Sequence, residues 1–177
     1  ALVCQSLGGW TGITFSLKYP EMVSCLVMSH TTGGITNERI KSATSAAAAK
    51  RAPLTSPFDS WAVAADLAEK DPVKANLYNQ IGAFNVTINF SKMLSGRGGP
   101  RVGTTADDLA SFEVPTLFIT ADMDVVIPPE AVHEAATLVR NSETASFQGI
   151  GHSSYFEAPT LFNETVNEFL KRHVNEN

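Results

Sequence analysis

The sequence predicts an α/β chain: a parallel sheet of four strands, interrupted by a helical insertion. Three observations predict it. Residues 1–30 read as strand, tight turn, helix and strand, and two strands joined through a helix must run parallel by a right-handed crossover. Residues 35–106 hold no β-branched run and read as helices and loops. Strand and helix then alternate again to the end of the chain. The division that follows is 1–34 as core, 35–106 as insertion and 107–177 as core.

Each element has a local cause. Ala1-Leu2-Val3-Cys4 is apolar and reads as a strand. A helix is expected over 10–19, stopped by Pro20. The apolar run 22–29 predicts the second strand, ended by Thr31-Thr32-Gly33-Gly34. In the insertion, the Ala-rich stretch 43–49 is a strong helix former. Apolar spacing predicts further helices over 59–69 and 73–84, and 95–100 reads as a glycine-rich linker without the Lys-Ser/Thr of a phosphate loop. A short helix is expected over 105–112 and a strong buried strand over 114–120. A helix over 128–139 has Pro128-Pro129 in its first turn. A strand over 144–147 precedes a last amphipathic helix over 159–173, with Leu161, Phe162, Val166, Phe169 and Leu170 on one face.

Composition narrows the function classes. The net charge of -5 argues against an electrostatic nucleic-acid binder. A hydrophobic fraction of 44% with 18% charged residues excludes intrinsic disorder, and no apolar run is long enough to span a bilayer. Cys4 and Cys25 fall at opposite ends of neighbouring strands, beyond the roughly 7 Å that a bridge tolerates. Free thiols and the lack of a charged leader segment lead us to expect a cytoplasmic location. The sequons at Asn85, Asn89 and Asn163 matter only for a secreted chain. Four His and two Cys show no ligand spacing, so no metal or cofactor is expected. Nothing in the sequence indicates an oligomeric state.

Three candidate sites stand at the C-terminal ends of strands, where open α/β sheets bind ligands. Ser6 sits on a strand-to-helix turn before Gly8 and Gly9. A nucleophile there is exposed above the sheet, and the following helix N-terminus favours negative charge. The Leu7 backbone N–H is placed to donate to an oxyanion. The plain alternative is a Gly-Gly turn. Asp122 and Asp124 follow the 114–120 strand, where an acid can orient an imidazole; two solvated loop carboxylates are the alternative. His152 lies in the loop Gly149-Ile150-Gly151-His152-Ser153, free to reach a cleft or to remain a surface histidine. Other residues carry two readings each. His30 and Trp10 line a substrate pocket or belong to the core. Trp61, Phe84 and Phe90 form a lid or simply pack the insertion. His133 and His173 read as helix-surface residues.

Taken together, the order Ser, Asp, His resembles the triad of the α/β-hydrolase superfamily, in its capped branch. Leu2-Val3-Cys4-Gln5-Ser6-Leu7-Gly8-Gly9 looks like its nucleophile elbow, and Tyr19 through Met28 resembles the helix end and next strand. Val114-Pro115-Thr116-Leu117 through Asp124 to Pro128 resembles the acid strand and loop, and Gly151 through Pro159 the histidine loop. The resemblance implies Ser6 as nucleophile, Asp124 as acid, His152 as general base and Leu7 N–H as an oxyanion donor. Asp124 is preferred to Asp122 because the family's acid usually stands four residues before the loop proline, here Pro128. Two positions depart from the pattern: Cys4 where glycine is usual and Gln5 where histidine is frequent. Serine at position 6 argues against the branches that attack with a carboxylate.

The implied function is a serine hydrolase acting on a small ester, lactone, thioester or related carbonyl compound through an acyl-enzyme. The partner expected is a small-molecule substrate. Rival readings keep the triad for acyl transfer, a lyase step or carbon–carbon hydrolysis, or make the chain a non-catalytic ligand-binding protein on this fold. The resemblance further implies that strands bearing a second oxyanion donor precede the elbow. The chain is therefore expected to be a C-terminal part of a longer protein and to be incomplete as an enzyme alone.

Overall fold

A computed structural model describes residues 1–55, 60–84 and 103–174. Asn85, Asn89, Phe90, Asp59 and the run 95–100 lie outside the described residues. In chain order the elements are β1 (Leu2–Gln5), α1 (Gly8–Lys18), a 3₁₀ turn (Pro20–Met22), β2 (Leu26–Ser29), α2 (Glu38–Lys50), α3 (Leu67–Lys70), α4 (Pro72–Ala83), β3 (Thr116–Ala121), α5 (Pro129–Thr137), β4 (Ser142–Phe147), α6 (Ser154–Glu157) and α7 (Pro159–His173). The strands form one parallel sheet in the order β1-β2-β3-β4.

Both faces of the two central strands are covered, which is why β2 and β3 read as continuous apolar runs. Leu26, Met28 and Phe118 point to one face and pack with Ile13 of α1 and with Ala131, Val132 and Ala135 of α5. Val27, Leu117 and Ile119 point to the other and pack with Phe162, Val166 and Phe169 of α7. Each such side chain, fully buried, contributes about 1.5–3 kcal/mol. Strand β4 lies at one end of the strand order and is polar and largely exposed, as edge strands usually are. Cys4 faces α1, against Gly12, whereas Cys25 packs on the α7 face, and both thiols are free.

The described ends of the insertion meet. Ile35 pairs with Thr104 in a parallel bridge, Thr36 N–H donates to the Thr104 carbonyl at 2.9 Å, and Thr104 N–H donates to the Gly34 carbonyl at 2.8 Å. Inside the insertion, Val63, Leu67 and Ala75 form a small separate core with Tyr78 against it.

Several expectations change. The helix over 105–112 is instead a succession of turns, with Leu109 N–H donating to Ala106 and Phe112 N–H to Leu109. The segment is short, fixed by the Thr104 bridge at one end and by Pro115 at the other, and three-residue turns put both Leu109 and Phe112 into the core. Of the helix expected to reach Glu69, only the turn Leu67–Lys70 is helical and Trp61 to Asp66 run in turns. The Ala64 N–H, which a helix would use, donates to Glu157 Oε2 at 2.9 Å. Strand β2 starts at Leu26, because Pro20 opens a 3₁₀ turn that leaves Met22 66% exposed. Leu161 is exposed and does not share the buried face of α7, and Asn163 is exposed on the same helix. No helix among the described residues is long and apolar enough to cross a membrane.

Candidate active site

Strand β1 delivers Ser6 and β2 delivers His30, side by side. The register pairs Gln5 with Ser29, so the next residue on each strand is Ser6 or His30. Both have left-handed backbones, at φ 50° and 51°, a region that non-glycine residues enter only when their surroundings impose it. Ser6 N–H donates to the Ser29 carbonyl at 2.9 Å, and His30 N–H to the Ile119 carbonyl at 2.8 Å. Helix α1 starts at Gly8, two residues earlier than expected, which brings its positive N-terminal end directly under the turn. The Leu7 N–H makes no hydrogen bond among the described residues.

The loop after β3 delivers Asp124. Its Oδ1 accepts the Val126 N–H at 2.8 Å and the Ile127 N–H at 2.9 Å. The loop after β4 delivers His152. There Gly149 has φ 69°, and its N–H donates to Asp122 Oδ1 at 2.7 Å. Asp122 is therefore an exposed brace for the histidine loop, while Asp124 is buried at the imidazole.

The three sequence candidates form one hydrogen-bonded line. His152 Nε2 lies 2.8 Å from Ser6 Oγ, and His152 Nδ1 lies 2.9 Å from Asp124 Oδ2. A carboxylate only accepts, so Nδ1 carries the proton and Nε2 is free to accept from the serine. Burial pushes the Asp124 carboxyl up. Hydrogen bonds from His152 and His30, the His152 charge and the Ile127 N–H offset this, and the carboxyl lies below its ordinary value.

Among the described residues, His30, Asp124 and His152 are the one group that brings three potential metal-ligating atoms within 4.8 Å of one another. Each Nδ1 is already hydrogen-bonded to Asp124 Oδ2, and the Nε2 atoms face Ser154 and Ser6. Every donor and acceptor has a partner, so the cluster reads as a proton-bearing network rather than as a ligand set.

The family described as "Serine aminopeptidase, S33" matches residues 1–159. The chain belongs to this family of α/β hydrolases. A curated relative of the S33 chain is "Putative esterase/lipase 2" of Mycoplasma pneumoniae, 33% identical over 113 residues, covering 59% of this chain and 41% of that protein. Another is the 2-hydroxy-6-oxononadienedioate/2-hydroxy-6-oxononatrienedioate hydrolase of Burkholderia vietnamiensis, 28% identical over 184 residues, covering 97% of this chain and 62% of that protein. Among solved structures, Rv0554 from Mycobacterium tuberculosis superposes with a TM-score of 0.72 at 20% identity, over 99% of this chain and 66% of that one. A thermophilic esterase from Thermogutta terrifontis gives 0.70 at 19% identity, over 98% and 65%. The S33 chain thus spans less than two thirds of the length of both curated relatives.

In this S33 chain His30 is wholly buried between Asp124 and Ser154, which is the core alternative of its two readings. Trp10 is half-buried with its ring against Gly34, where an added Cβ would fall 2.5 Å from Cε3. Trp61 donates its indole N–H to the Ala52 carbonyl at 2.9 Å and borders a cavity of about 400 Å³ with Leu54, Val63 and Leu67. Phe84 is 92% exposed. His133 is exposed on α5 as expected, whereas His173 packs its ring against Phe169, with centroids 4.6 Å apart.

Sequence reading missed the braces. Gln5 donates Nε2–H to the His152 carbonyl at 2.7 Å, and Ser29 Oγ donates to Gln5 Oε1 at 2.6 Å. The departure from the family pattern at position 5 thus ties the elbow to the histidine loop. Glu157 accepts the Gly151 N–H, and Tyr78 of α4 bonds Ser153 Oγ at 3.0 Å. A Cβ on Gly151 would fall 2.3 Å from the Ala64 nitrogen and 2.4 Å from the Val63 carbonyl carbon. Gly151→Ala is therefore expected to destabilise the fold by about 1–3 kcal/mol, because backbone must move to admit the methyl. A thermal melt checks this; an unchanged Tm contradicts it.

Proposed function

We propose that the chain carries the nucleophile, base and acid of a serine hydrolase that acts on a small carboxylic ester, thioester or lactone. The observation that supports this best is the unbroken Ser6–His152–Asp124 line, with contacts of 2.8 and 2.9 Å at the C-terminal ends of parallel strands.

The mechanism follows from the proton positions. As Ser6 Oγ bonds to the acyl carbon, its proton passes to His152 Nε2. Asp124 holds the imidazole in the Nδ1–H tautomer and stabilises the cation that forms. The carbonyl oxygen gains negative charge beside the Leu7 N–H and the N-terminus of α1, where fixed dipoles favour it. His152 then gives its proton to the leaving group, the carbonyl re-forms, and an acyl group remains on Ser6. Water, deprotonated by His152, attacks the acyl carbon and releases the acid and the free serine.

Release of p-nitrophenol from acetate and butyrate esters by the full-length protein tests the reading. Turnover that disappears in Ser6→Ala supports it. No turnover of esters, thioesters or lactones by folded protein contradicts it. Carbon–carbon hydrolysis is a second reading, favoured by the similarity over 97% of the chain to a protein named as a hydrolase of oxo-dienedioates. Turnover of such a dienoate in preference to the esters would select it.

A further inference from the structure

We propose that His30 is a positioning residue for the acid: it places a second imidazole N–H on Asp124 Oδ2, and Ser154 holds it in the tautomer that can do so. The inference rests on the catalytic reading of Ser6, His152 and Asp124 and adds a fourth and fifth member to that network. His30 Nδ1 lies 2.9 Å from Asp124 Oδ2, the same oxygen and the same distance as His152 Nδ1. His30 Nε2 lies 2.8 Å from Ser154 Oγ. His30 and Ser154 are both 0% exposed.

The proton count fixes the direction of these bonds. Asp124 accepts, so the proton is on His30 Nδ1. Among the described residues the Ser154 hydroxyl has no other side-chain partner, and its hydrogen finds an acceptor only if Nε2 is bare. That describes a neutral imidazole, held as Nδ1–H by a buried hydroxyl. Ser154 opens α6, just after His152, so the loop that carries the base also sets the tautomer of its neighbour.

The consequence concerns where charge resides during the reaction. Asp124 receives four N–H donors: two imidazoles on Oδ2 and two backbone groups on Oδ1. Each donor favours the carboxylate over the carboxylic acid. With His30 in place the carboxylate is less basic, and the proton taken from Ser6 stays on His152 instead of drifting to Asp124. Without His30 the carboxylate has one donor fewer and holds a proton more tightly, so the Asp124–His152 pair, titrating as a unit, becomes competent at a higher pH. Among the described residues, the titratable groups that face His30 are Asp124, from the loop after β3, and His152, from the loop after β4. Helix α6 presents the Ser154 hydroxyl, and β3 the Ile119 carbonyl.

Two variants of the full-length protein separate this role from packing. His30→Leu fills the space without a donor. His30→Asn keeps an N–H near the Nδ1 position and tolerates the left-handed backbone better than most residues. In His30→Leu the acid limb of kcat/KM is expected to move up by about 0.5–1 pH unit, with a loss of about tenfold in rate from the lost charged hydrogen bond. In His30→Asn the limb is expected at its wild-type position. Low-field proton NMR supplies a readout independent of turnover: two hydrogen-bonded imidazole N–H signals in the wild type, one in either variant. Equal acid limbs in wild type and His30→Leu, equal shifts in both variants, or a single wild-type signal would overturn the inference. If the wild type shows no Ser6-dependent hydrolysis, the catalytic reading itself fails, while the NMR signals still decide whether His30 bonds Asp124. If His30→Leu does not fold, His30→Asn and the signal count decide.

Discussion

Ser6→Ala is expected to lower kcat/KM toward a carboxylic ester by about five to six orders of magnitude, the loss seen when the nucleophile of a catalytic triad is removed. The fold should survive. Among the described residues the Ser6 side chain has one hydrogen-bond partner, His152, and the turn is held through the backbone by Ser29. The left-handed φ of 50° strains alanine as it strains serine, and glycine adopts that conformation freely. Ser6→Gly should therefore melt no lower than Ser6→Ala while being equally inactive. Single-turnover kinetics and thermal melts of the two variants check both halves. A lower Tm for the glycine variant would place the strain elsewhere.

Asp124→Asn is expected to cost about 10⁴ in kcat, because an amide facing His152 Nδ1 favours the wrong imidazole tautomer. It should also change how stability depends on pH. The folded carboxyl lies below its ordinary value: burial acts to raise it, but the His152 and His30 hydrogen bonds, the His152 charge and the Ile127 N–H outweigh burial. A group depressed in this way stabilises the fold fully above its unfolded value of about 3.9, and the contribution is lost as pH falls through the folded value. The Tm gap between wild type and Asp124→Asn should be widest near neutrality and close below about pH 4. A gap that stays constant from pH 7 to pH 3 would mean that the carboxylate is not preferentially stabilised in the fold.

Strands and candidate residues are legible in this sequence for a common reason. A parallel sheet covered on both faces needs unbroken apolar strands, so Leu117-Phe118-Ile119 announces itself, and polar residues past such a run mark the edge where ligands bind. Ser6, Asp124 and His152 all stand there, two of them beside glycines. His30 stands there as well, yet its letters do not say which neighbour its ring meets. That depends on strand order and on Ser154, 124 residues further along the chain. The same distance effect hides why the expected 59–69 helix is lost before Leu67, where a carboxylate 93 residues away takes the Ala64 N–H. Local propensity could not see either contact. At 105–112 it favoured a helix in a segment whose ends were already fixed by the Thr104 bridge and Pro115.

The most direct test is active-site labelling. A fluorophosphonate reacts with a serine only where a base activates its hydroxyl and nearby donors receive the phosphoryl oxygen. Intact-mass and peptide mass spectrometry of the full-length protein should find one adduct, on Ser6, absent from Ser6→Ala and strongly slowed in His152→Ala. Folded protein that takes up no label, or carries it on another serine, would contradict the assignment of Ser6, His152 and Asp124 as one catalytic unit.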